Sequence, residues 1–214
     1  MKKTLISLCL LAGFAAPSLA EYFTPAEKPP FDYYMLSLSW SPEFCATHQG
    51  NKQCGRGQGL VLHGLWPQYF NGYPKSCSNE RITAKLVREF SGLYPADGLA
   101  FHEWQKHGTC SGLPPREYLQ LSQKLKNSFM PPAALQKLTQ ALPVTTALLT
   151  RQILLANPKL KAEMLAFDCT NDGAYLQEVY VCFDKAGKSA VACGEEVRHR
   201  SQRSCGAGEF LVRN

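Results

Sequence analysis

A disulfide-stapled α+β fold is what this sequence predicts, from three observations. Short apolar runs bounded by turn residues occur alongside stretches whose apolar residues recur at helical spacing, and the two kinds are mixed without a regular strand-helix-strand repeat. The chain has 214 residues, enough for one sizeable core. It carries nine cysteines, eight of them beyond an N-terminus of export type.

Residues 1–20 begin with Lys2 and Lys3, continue as an apolar run over 5–16 and end Ser18-Leu19-Ala20, the pattern of a cleaved signal peptide. The run is too short for a bilayer, and no later segment reaches the roughly 20 apolar residues of a membrane helix. The expectation is a single domain over 21–214, periplasmic or secreted, monomeric and without a membrane anchor. Cys9 lies inside the apolar run behind Leu8, not behind a small residue, so it reads as a small hydrophobe of the leader.

Residues 21–30 hold three prolines and should be an extended lead-in. The aromatic-rich stretch 33–40 alternates and reads as a strand, and the glycine-bounded apolar run 59–65 as another. Residues 81–90 and 116–129 place apolar side chains at helical spacing, the second behind Pro114-Pro115 as a start signal. Further helices are expected over 131–142 and 145–156. Strands are expected over 163–170, 174–183 and 189–193, between turn residues.

The eight remaining cysteines, Cys45, Cys54, Cys77, Cys110, Cys169, Cys182, Cys193 and Cys205, form an even set behind an export signal, which implies four disulfides in an oxidising compartment. None are spaced as a zinc finger demands. The formal charge is +6, falling to +4 without Lys2 and Lys3; this suits a polyanionic partner without identifying one. The cluster from Arg198 to Arg203 reads as a solvated basic loop.

Two segments carry chemistry. The first is Leu62-His63-Gly64-Leu65-Trp66-Pro67, where His63 ends a buried-type strand and is followed by glycine, so its ring can emerge at the strand end. A lone histidine there is more often a hydrogen-bonded core residue. The second is His102-Glu103-Trp104-Gln105-Lys106-His107-Gly108-Thr109-Cys110. If 101–110 begins as a helix, Glu103 and His107 share a face, Lys106 lies on the neighbouring row, and His102 and Lys106 form a second edge. His102 and His107 are five apart and diverge by roughly 140°. This excludes the zinc-protease pattern, in which histidines four apart converge on one metal. A solvated amphipathic helix explains the second segment equally well taken alone.

Together the segments resemble the two active-site motifs of the ribonuclease T2 family, H-G-L-W-P and H-E-x-x-K-H-G-T-C. The resemblance extends to Leu36-Ser37-Leu38-Ser39-Trp40-Ser41-Pro42 and to the cysteine order, from about residue 31 onward. It implies a mainly antiparallel sheet flanked by helices. It also implies the pairs Cys45–Cys54, Cys77–Cys110, Cys169–Cys205 and Cys182–Cys193, a choice that counting cannot make among roughly a hundred pairings.

The implied activity is endonucleolytic cleavage of single-stranded RNA at low base specificity, without metal or other cofactor. RNA carries its own nucleophile, the 2′-hydroxyl, beside the phosphorus, so the protein need only move two protons and hold charge. Imidazoles titrate near neutrality and suit both transfers, each contributing about 10²- to 10⁴-fold. By resemblance His107 is the general base and His63 the general acid, so their protonation states must be opposite. Glu103 and Lys106 steady the pentacoordinate phosphorane, and His102 is a phosphate-site or orienting residue. Trp66 resembles the family's base-stacking aromatic, with core packing as its competing role. Many members follow the first motif with a base-binding aspartate; Gln68 stands here instead, and an amide both donates and accepts. The competing function is a ribonuclease-like binding, storage, inhibitor or toxin protein in which cleavage is lost or secondary.

Overall fold

The computed structural model of the protein describes residues 31–214; the expected signal peptide and lead-in lie outside the described residues. In chain order the elements are β1 (Tyr33–Trp40), α1 (Ser41–Thr47), β2 (Leu60–Gln68), α2 (Ala84–Glu89), α3 (Asp97–Lys106), α4 (Pro115–Ser128), β3 (Leu142–Thr145), α5 (Thr146–Ala156), β4 (Leu165–Cys169), β5 (Leu176–Asp184), α6 (Glu195–Cys205) and β6 (Glu209–Val212). The main sheet has the order β2-β1-β5-β4, every pair antiparallel, and β3 and β6 form a separate antiparallel ribbon. The expected α+β class with antiparallel sheet and flanking helices is what forms.

The two-residue period of β1 decides what each face of the sheet does. Tyr34, Leu36, Leu38 and Trp40 point into the main core, where they meet Leu62, Leu65, Val179 and Val181 of the sheet and Trp104, Tyr118 and Leu119 of α3 and α4. Burying each such side chain contributes roughly 1.5–3 kcal/mol. On the opposite face Tyr33 and Met35 join Tyr180, Cys182 and Val197 of α6 in a smaller cluster. That face then changes character along β1, from aromatic and sulfur side chains to the hydroxyls of Ser37 and Ser39. The polar end is where the candidate site lies.

Several expectations need correction. Strand β2 does not stop at Leu65 but continues to Gln68, so His63 is in mid-strand. Pro67 is tolerated because β2 is an outer strand of its sheet. The helix expected over 131–142 is one 3-10 turn, Ala133–Leu135, followed by Lys137 in the left-handed region at φ 58° and by β3 pairing with β6. Two prolines at its start and the ribbon at its end leave no room for a helix, although Leu135 and Val144 still serve the core. The strand expected over 189–193 reduces to a single bridge between Ala190 and Phe183. The basic cluster at Arg198 to Arg203 is not a loop: it lies on α6, whose Val197, Ser201 and Cys205 are buried. Helix α1 and strand β6 were not anticipated.

Four disulfides join Cys45 to Cys54, Cys77 to Cys110, Cys169 to Cys205 and Cys182 to Cys193. The second and third close separations of 33 and 36 residues. In the chain-entropy view each such loop stabilises by about 3–4 kcal/mol.

Candidate active site

His63 reaches the site through an irregularity in β2. In the β1–β2 ladder Ser37 pairs with Gly64 and Leu38 with Leu62, leaving His63 as an extra residue with no partner, a β-bulge. The consequence is legible in the spacing. Leu62 and Leu65, three apart, both enter the core, which a regular strand forbids, while His63 and Trp66 both emerge on the other face. Their rings meet edge to face with centroids 5.0 Å apart.

The second segment arrives on α3, which packs against β2. The helix begins at Asp97, earlier than the motif, and ends at Lys106. His107 is its C-cap, with φ −120°, and its backbone N–H still bonds Glu103 O at 2.9 Å. Residues 76–80 run alongside α3 and hold it. Ser76 N–H donates to Lys106 O at 2.9 Å, Gln105 Nε2 to Ser78 O at 2.9 Å and Trp104 Nε1 to Glu80 O at 2.8 Å. The Cys77–Cys110 bond fastens the same stretch covalently just beyond the helix.

Gly64 is what lets the two segments touch. A Cβ there would overlap the Glu103 carboxylate and the Trp66 indole nitrogen. With that space open, Trp66 Nε1 donates to Glu103 Oε2 at 2.6 Å, and Glu103 Oε1 lies 3.7 Å from His63 Nε2. The Trp66 ring also stacks on His107, with centroids 5.0 Å apart and planes at 24°. One indole thus stands between the two imidazoles, with one face engaged by His107.

The histidines sit in opposite environments. His107 is 3% exposed, and its Nδ1 is buried without a hydrogen-bond partner among the described residues. Burial first, then the charges of Lys106, His63 and His102, push its pKa down to about 3. His63 is 34% exposed. Burial alone would depress it, but the hydrogen bond and charge of Glu178, joined by the charge of Glu103, outweigh burial and Lys106 and hold its pKa above the usual value. Glu103, 1% exposed, is raised by burial to about 7 despite His63, Trp66 and Lys106. His102 is lowered by burial and by the neighbouring Lys106 and His63.

Beside His107 a recess of about 240 Å³ is lined by Trp66, Gln68, Tyr73, Lys106, Tyr180 and Arg200, among others. Gln68 is 3% exposed, and its Nε2 donates to Pro67 O at 3.0 Å. A larger cavity, about 630 Å³, lies elsewhere, between residues 53–60 and 131–138, and holds neither histidine. The structure therefore assembles His63, Trp66, Glu103, Lys106 and His107, with His102 at the margin and Gln68 in the recess.

Glu178, Ser37, Ser39 and Tyr73 also belong to this region and were missed in the sequence. Ser37 and Ser39 left a signal, two hydroxyls on alternate positions of an otherwise apolar strand. Glu178 left only an acid within a β-rich run.

The chain matches the model of the Ribonuclease T2 family over residues 31–193. It is 39% identical to a ribonuclease of Aeromonas hydrophila, covering 100% of this chain and 99% of that protein. It is 29% identical to ribonuclease 1 of Arabidopsis thaliana over 90% and 93% of the two chains. Among solved structures, ribonuclease MC1 from bitter gourd seeds superposes with a TM-score of 0.64 at 20% identity, covering 84% of this chain and 99% of that one. With the fold, the full-length similarity and the two motif segments meeting across Gly64 all pointing the same way, this chain belongs to the ribonuclease T2 family and is a ribonuclease of that type.

Proposed function

We propose that the protein cleaves single-stranded RNA by transphosphorylation, without a metal ion and with low base specificity. The observation that carries this reading is the opposite bias of the two imidazoles flanking Trp66. His107, kept neutral, accepts the proton of the ribose 2′-hydroxyl as the 2′-oxygen attacks phosphorus. His63, kept protonated, donates to the 5′-oxygen as the P–O5′ bond breaks. The products are a 2′,3′-cyclic phosphate and a free 5′-hydroxyl, with the proton gained by His107 matched by the one lost from His63. In the second step the roles reverse: water attacks, and the cyclic ester opens to a 3′-phosphate.

Lys106 supplies positive charge where the phosphorane becomes more negative. Glu103 holds Trp66 and faces His63, so it orients the donor and balances its charge. His102, at the edge, meets a neighbouring phosphate. A base enters the recess beside His107, which requires it to be unstacked and so favours single strands. Gln68 brings no charge to that recess and excludes no base on electrostatic grounds. Four disulfides suit an oxidising compartment, and the proposed place of action is a periplasm or the exterior.

Product analysis on the dinucleoside monophosphates of each base, with and without EDTA, tests this reading. Cyclic phosphate should appear first, 3′-phosphate later, and EDTA should change neither rate. Cleavage abolished by EDTA and restored by a divalent metal, or products ending in 5′-phosphate, would overturn the mechanism. Cleavage no faster than that of a His63→Ala/His107→Ala double variant would instead favour the binding or storage role.

A further inference from the structure

Glu178 lies on β5, outside both histidine segments, yet it makes the closest hydrogen bond to His63. Its Oε1 accepts from His63 Nδ1 at 2.9 Å and from Ser39 Oγ at 2.7 Å, and its Oε2 accepts from Ser37 Oγ at 2.7 Å. Strand register produces this set. Ser39 pairs directly with Glu178 across the β1–β5 ladder, and Ser37 pairs with Gly64, beside the bulged His63, across the β1–β2 ladder. Three adjacent strands thus bring one carboxylate, two hydroxyls and one imidazole to the same face.

We propose that Glu178 is the positioning residue of the proton donor, fixing His63 with Nδ1–H bound to the carboxylate and Nε2 turned to the reacting centre, while Ser37 and Ser39 fix Glu178. The inference rests on the reading of His63 as general acid. An ionised carboxylate only accepts, so Nδ1 carries the hydrogen and Nε2 is the nitrogen left to exchange a proton. Nε2 is also the one on the Glu103 side, 3.7 Å away. A ring at a strand bulge lacks the packing that fixes a core side chain, and His63 is a third exposed. A carboxylate held by two hydroxyls on a neighbouring strand supplies the missing constraint. The side chain of Glu178 is only 13% exposed. A partner needed only to satisfy two serines would not also have to reach the imidazole, as this carboxylate does.

The groups facing His63 come from two sides: Glu178 from β5, and Glu103, Lys106 and His102 from α3, with His107 at the end of α3. The carboxylates favour the protonated ring; Lys106 and burial oppose it. Removing the charge of Glu178 tips that balance against the proton.

The experiment is steady-state kinetics of Glu178→Gln on two substrates over a pH series. One is RNA. The other is a ribonucleoside 3′-(4-nitrophenyl phosphate), whose leaving phenolate needs no proton. On RNA, kcat should fall by about 10- to 100-fold with KM nearly unchanged. The alkaline limb of kcat/KM should move down by about one pH unit. On the activated ester most of the loss should vanish. An equal loss on both substrates with the alkaline limb unmoved would overturn the positioning role. His63→Ala, run in parallel, separates the two ideas: an equal loss on both substrates there would refute the general-acid reading itself. If Glu178→Gln does not fold, Ser39→Ala reads the same contact, with a severalfold loss confined to RNA expected and an equal loss on both substrates contrary to the proposal.

Discussion

The two imidazoles of the site differ in almost every respect except distance from Trp66. His63 stands on a strand irregularity, a third open to solvent, with a carboxylate bonded to one nitrogen and a second carboxylate near the other. His107 ends a helix, is nearly sealed, stacks on the indole and has one nitrogen buried without a partner among the described residues. The first environment pays the cost of a charged ring; the second penalises it. Opposite proton preferences thus arise from ordinary packing around one shared aromatic, without any exotic group.

The bluntest way to break the contrast is to remove either ring. His63→Ala and His107→Ala should each lower RNA cleavage by about 10²- to 10⁴-fold while leaving KM comparatively unchanged, measured as initial rates of cyclic phosphate formation. Undiminished cleavage in either variant would remove that histidine from the mechanism. Next in size is Gly64→Ala, which forces a methyl group against Glu103 and Trp66. The expected cost is about 1–3 kcal/mol in urea unfolding, together with a loss of kcat as Trp66 and the imidazoles shift.

Stability as a function of pH sharpens the comparison more gently. Between about pH 3 and the ordinary 6.5 of histidine, the unfolded chain binds a proton at residue 107 that the folded chain refuses, so this residue makes stability rise with pH. Glu103 has the opposite sign: between the ordinary 4.5 and about 7 the folded chain holds a proton that the unfolded chain has lost, so stability falls as pH rises. Relative to wild type, His107→Gln should gain stability as pH drops through the first window. Glu103→Gln should gain as pH climbs through the second. Each slope is at most about 1.4 kcal/mol per pH unit, and parallel curves in thermal melts would contradict the burial argument. The smallest effect is expected at Gln68→Asp, which should redistribute rates among the four dinucleoside monophosphates by about tenfold or less, with little change in the fastest.

Most of the fold was legible where local pattern and tertiary packing agree. Residues 33–40 alternate as a strand and form one; 116–129 repeat at helical spacing behind two prolines and form α4. The failures are places where distant pairing decides. Leucines over 131–142 carry a helical rhythm, but two prolines open the stretch and its end, from Leu142 on, is claimed by β6, more than sixty residues away. The arginines of α6 hide a helix because only its narrow inner stripe of Val197, Ser201 and Cys205 meets the sheet. In the site, His63 and His107 were legible because their motifs are contiguous. Glu178 was not, because only the register of three strands makes it a neighbour of His63. The resemblance implied opposite protonation states for the two histidines, but the cause of each bias was out of reach, since it depends on what seals the ring and not on what precedes it.

The unpaired position at His63 has a consequence for how this catalyst can be lost. Because the bulge adds one residue to one strand, deleting His63 alone would bring Leu62 and Gly64 into an unbroken ladder opposite Leu38 and Ser37. Leu65 would still enter the core, and Gly64 would still leave room for Glu103. A single in-frame codon deletion would therefore be expected to leave a more regular sheet that lacks the proposed proton donor. The β1–β2 ladder itself does not oppose that deletion, so correct folding and disulfide formation are poor proxies for activity in a screen of variants of this strand.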